Sequence, residues 1–63
     1  MSDFSMINTE QKQMIKDCLN NKRYPLMREK EAAFVDTLNT ALEATPPQIK
    51  WLEGIWNRVT TNG

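Results

Sequence analysis

There is no histidine in this chain and only one cysteine, two scarcities that remove most of the chemistry a small protein can carry. Without an imidazole there is no ordinary general base at neutral pH, no Ser-His-Asp triad and no histidine metal site. A lone thiol, Cys18, closes no internal disulfide and builds no cysteine zinc cage. Glycine is nearly absent, with Gly54 and Gly63 alone, and proline is confined to Pro25, Pro46 and Pro47. A multi-hairpin β-fold needs turn residues at regular spacing, so their shortage points to helices. Neither charge is in excess. Eight basic and eight acidic side chains give a net charge of zero, which excludes a chain held on nucleic acid by bulk charge alone. No apolar run is long enough to cross a bilayer. The opening Met1-Ser2-Asp3-Phe4-Ser5-Met6 carries an acid where a secretion signal needs bases. A reduced, cytoplasmic setting is the expectation, with Cys18 as a small buried hydrophobe.

What is present suits one small globular domain. Hydrophobic residues make up 40% of the 63, too many for a disordered chain. A chain of this size buries only about 60% of the surface it exposes when unfolded, so its core is marginal and a second copy or a partner is expected to supply missing burial. Residues 1–7 lack periodicity and read as a flexible N-terminal arm, with Phe4, Met6 and Ile7 available to dock it. Asn8 and Gln11 form a capping-box pair, and Met14, Ile15, Cys18 and Leu19 lie on one helical face. The spacing predicts a first helix over 8–20, ended by Asn20-Asn21 through a left-handed cap. Pro25 suits the start of a second helix over 26–43, with its stripe at Met27, Phe34, Val35, Leu38, Ala41 and Leu42. Thr45-Pro46-Pro47-Gln48 marks a third start, over 46–59, with its stripe at Ile49, Leu52, Ile55, Trp56 and Val59. The expected fold is all-α: a three-helix bundle over 8–60 followed by a frayed tail at 61–63.

Three features stand out as candidate contacts. Trp51 falls about 100° from the centre of its stripe, on a shoulder with Gly54 and Arg58. An indole beside a guanidinium and a bare helical backbone suits a contact hot spot or a base-stacking platform; the structural alternative is a lid on the end of a small core. Gly54 costs a helix about 1 kcal/mol relative to alanine, which a close approach repays, either by another helix of the chain or by something outside it. Lys12, Lys16, Lys22, Arg23, Arg28 and Lys30 face only Asp17 and Glu29 over residues 12–30, a local net charge of +4, with Tyr24 among them as a stacking residue. Such a distribution steers a nucleic acid or an acidic protein, or is simply a solvated face. Glu29 and Glu31, two apart, do not face each other on a helix. With no paired carboxylates, serine constellation or phosphate loop, neither catalysis nor a cofactor is expected.

The run Glu31, Phe34-Val35, Leu38, Leu42, Thr45-Pro46-Pro47-Gln48, Trp51-Leu52, Ile55 and Arg58 resembles a helix-loop-helix module of tailed phages. That module occurs as the C-terminal piece of the recombination helicase UvsW and as a small stand-alone relative. The likeness covers residues 31–59, a little under half the chain. It departs from the module's pattern in a compressed loop and in Gly54. It implies a phage accessory protein of DNA repair or recombination, located in the host cytoplasm, with Gln48, Trp51 and Arg58 as contact residues. The expectation is therefore a non-catalytic binding module that engages a DNA-processing protein or, weakly, DNA. The alternatives are a phage-encoded inhibitor of a host enzyme or defence protein, and an assembly protein acting as a homo-oligomer.

Overall fold

The computed structural model describes residues 3–61. Three α-helices form it, α1 (Thr9–Cys18), α2 (Glu29–Thr40) and α3 (Pro46–Thr61), with a one-turn 3-10 segment at Tyr24–Leu26 and a two-residue strand pair. The small three-helix bundle expected from the periodicity is what the chain adopts.

The start of α1 follows from its cap. Asn8 Oδ1 accepts from Gln11 N–H at 2.8 Å, and Gln11 Oε1 accepts from Asn8 N–H at 2.9 Å, so two orphan first-turn donors are satisfied reciprocally. Its end differs from expectation. No non-glycine residue has a positive φ among the described residues, so the left-handed asparagine cap does not form. Asn20 instead bends the chain forward, its Oδ1 accepting from Lys22 N–H at 2.9 Å and its carbonyl from Tyr24 N–H at 2.8 Å.

The unbroken second helix predicted over 26–43 is corrected at both ends. Pro25 opens the 3-10 turn rather than α2, and Met27 and Arg28 are extended before α2 begins. A guanidinium has no acceptor, so Arg28 cannot cap through its side chain. Glu31 supplies the bond, its Oε1 accepting from Arg28 N–H at 2.9 Å. The kink turns Met27 into the core. At the far end Ala41 is extended, and Leu42 is 77% exposed rather than buried. Proline at 46 disfavours a helical Thr45, and Glu43–Ala44 pairs antiparallel with Ser5–Met6, in register Ser5 with Ala44 and Met6 with Glu43. Ala44 takes the core position that Leu42 was expected to fill.

This pairing also changes the picture of the N-terminal segment. Residues 5–7 are fastened to the bundle: Ile7 N–H donates to Leu42 O at 3.1 Å, and the Ile7 side chain is buried. Residues 1–2 lie outside the described residues.

The third helix starts where expected. Gln48 Oε1 accepts from Thr45 N–H at 2.8 Å, while Pro46 and Pro47 occupy first-turn positions that need no amide. It runs two residues past its predicted end. Thr60 Oγ donates to Trp56 O at 2.7 Å, and Thr61, expected in the frayed tail, is helical; 62–63 lie outside the described residues. The core gathers Ile7, Ile15, Cys18, Met27, Ala32, Val35, Leu38, Ala44, Leu52, Ile55 and Val59. Trp56 packs half-buried against it, its indole N–H donating to Asp17 Oδ2 of α1 at 3.1 Å.

Candidate contact surface

Trp51 sits on the α2-facing flank of α3, outside the core. Its ring stacks on that of Phe34 from α2, with centroids 4.1 Å apart and planes 24° from parallel, yet the residue stays 45% exposed. Stacking fixes the indole in one orientation without hiding it. Beside it lies an open depression of about 430 Å³ lined by Arg28, Glu29, Lys30, Glu31 and Trp51. The sequence placed Trp51 on this shoulder; it did not pair it with Phe34, because Phe34 read as an ordinary stripe residue.

Gly54, one helical turn beyond Trp51, is exposed, and a Cβ built on it meets nothing within 4 Å. No other helix of the chain crosses there. A close crossing by another helix of the chain therefore does not account for this glycine.

Arg58 does not stand free on the shoulder. Its guanidinium makes a two-pronged ion pair with Glu31, Nη1 donating to Oε2 at 2.9 Å and Nη2 to Oε1, and Nη2 also reaches Leu26 O at 3.4 Å. The pair ties the far end of α3 to the start of α2 and to the 3-10 turn. The hydrogen bonds from Arg58, strengthened by that from the Arg28 amide, hold the Glu31 carboxyl below its ordinary pKa against the opposing effect of burial. The same carboxylate raises the pKa of Arg58. In the sequence Glu31 stands out as half of an unproductive pair with Glu29 and as the first residue of the phage-module run; its spacing of three from Arg28 fits an N-terminal cap, but arginine is not a capping residue and hides the signal. Gln48, likewise, is occupied in capping α3.

The six expected basic positions are distributed over two hollows and a loop. Lys12 and Lys16 border a small hollow of about 110 Å³ between α1 and the C-terminal half of α2, with Ile15, Leu38, Asn39 and Ala41. Arg28 and Lys30 line the depression beside Trp51. Lys22 and Arg23 occupy the connection between α1 and the 3-10 turn, and the Nε of Arg23 is buried without a hydrogen-bond partner. Tyr24 is 46% exposed on that turn. Cys18 is fully buried. Among the described residues no cluster of three or more histidine, cysteine, aspartate or glutamate side chains is placed to hold a metal ion, and no helix is long and apolar enough to cross a membrane. No family model matches the chain, and no curated protein or solved structure matches it.

Proposed function

We propose that this protein is a non-catalytic binding module that docks on a DNA-processing protein through the Trp51–Gly54 flank of α3. The observation that carries this reading is the combination of a half-exposed indole, fixed by Phe34, with a mid-helix glycine that serves nothing inside the chain. A pre-oriented aromatic ring loses little conformational entropy on binding, which is what makes tryptophan an effective contact residue. The DNA-repair context is drawn from the likeness of residues 31–59 to the phage helix-loop-helix module. The partition of the cations between two grooves and a loop favours a protein partner over an extended nucleic-acid strand, which needs a continuous track.

The test is capture from host and infected-cell lysates with the wild-type chain and with Trp51→Ala as bait. Recovery of a replication, repair or recombination protein by the wild type, lost with Trp51→Ala while the thermal melt is retained, is the expected result. Capture that does not depend on Trp51, or tight salt-sensitive binding of bare DNA in its place, overturns it.

A further inference from the structure

Resting on that reading of the Trp51 flank, we infer the chemistry of the partner: an acidic amphipathic helix of another protein, crossing α3 at Gly54. Trp51 presents a half-exposed ring held against Phe34, and one turn along the same helix Gly54 leaves open space where any other residue would place a Cβ. A glycine at that position lets a second backbone approach α3 more closely than any side chain permits. An incoming helix can seat an apolar residue against the indole while its own axis passes over Gly54, the groove mode of helix recognition.

Charge selects the sign of the partner. Four charged residues line the depression, Arg28, Glu29, Lys30 and Glu31. Glu31 is already neutralised by Arg58, whereas Arg28 and Lys30 have no ion pair among the described residues. Glu29 is the one carboxylate of the lining left to oppose them. Lys50 and Glu53, exposed on α3 to either side of Trp51 in sequence, cancel each other. The lining therefore keeps a positive surplus at the mouth of the depression. Carboxylates on the partner flanking its apolar anchor meet Arg28 and Lys30, and a basic or neutral helix gains nothing there. Lys12 and Lys16 lie in the α1–α2 groove and do not extend this surface into a track for a nucleic-acid backbone.

The experiment is selection of a yeast-displayed library of helical peptides against the full chain. Selected peptides are then titrated against wild type, Trp51→Ala, Gly54→Leu and the double charge reversal Arg28→Glu/Lys30→Glu. Melts of each variant establish that it folds, and Gly54→Ala repeats the steric test with a single methyl. The expected outcome is enrichment of acidic sequences around a large apolar residue. Their affinity should fall at least tenfold in Trp51→Ala, Gly54→Leu and the charge reversal, and by a smaller factor in Gly54→Ala. Enrichment of neutral or basic peptides that still require Trp51 overturns the acidic partner and leaves the docking face standing. Peptides indifferent to both Trp51 and Gly54 overturn both. Competition by an oligothymidylate for the same face, or a dimer in sedimentation that Gly54→Leu abolishes, replaces the acidic helix with nucleic acid or a second copy and equally overturns the inference.

Discussion

Cys18 is sealed in the core, and the difficulty of placing a thiolate there, with Asp17 and Glu31 nearby adding repulsion and Arg23 only partly offsetting it, pushes its pKa from 9.0 to about 11. At neutral pH the group is a protonated thiol and a packing residue. A thiol-specific chromogenic reagent at pH 7.5 should react at a rate set by unfolding, and in denaturant within its ordinary mixing time; equal rates in the two conditions would mean that Cys18 is not enclosed. Glu31 is the opposite case, a carboxylate held ionised by Arg58 and the Arg28 amide. Because its folded pKa lies below the ordinary 4.5, its contribution is fully present above that value and is lost as pH falls through the folded one. Denaturant titrations over a falling pH series should show stability declining in that acid window for wild type and declining less for Glu31→Gln. Parallel curves for the two chains would contradict the assignment.

At the scale of elements, α3 carries a defect with no internal compensation. Gly54→Ala adds a methyl to open space and removes backbone freedom from the unfolded chain, so it should stabilise the isolated protein by about 0.5–1 kcal/mol, read from the thermal midpoint. A loss of stability would reveal a close neighbour that the fold does not show. The three helices and most of the core were legible because stripes, caps and prolines act locally: Asn8 with Gln11, and Thr45 with Gln48, behave as their spacing dictates. The boundaries of α2 were not legible, since they depend on distant chain. Its start is fixed by Glu31, which the pairing with Arg58 holds in place 27 residues away in sequence. Its end is fixed by Ser5–Met6, which draws Glu43–Ala44 out of helix. The ion pair with Glu31 also gives Arg58 an internal tethering role that its sequence position did not reveal. Trp51 and Gly54 kept the places their helical positions gave them, because exposure on one helix face needs no knowledge of the partner helix.

At the scale of the whole molecule, the side chains of α3 fall into two groups that alternate along one helix. Leu52, Ile55 and Val59 hold the bundle together, and Trp51 with Gly54 faces outward for docking. Adjacent residues 51 and 52 therefore offer the most direct comparison, made by chemical denaturation of the two alanine variants. Leu52→Ala empties a fully buried site and should cost about 2–5 kcal/mol, enough to abolish a fold of this size. Trp51→Ala should cost less, about 1–3 kcal/mol from the stack on Phe34 and the buried half of the indole, and leave a cooperative transition. A Trp51→Ala chain that unfolds as readily as Leu52→Ala would make the indole part of the core and remove the docking face.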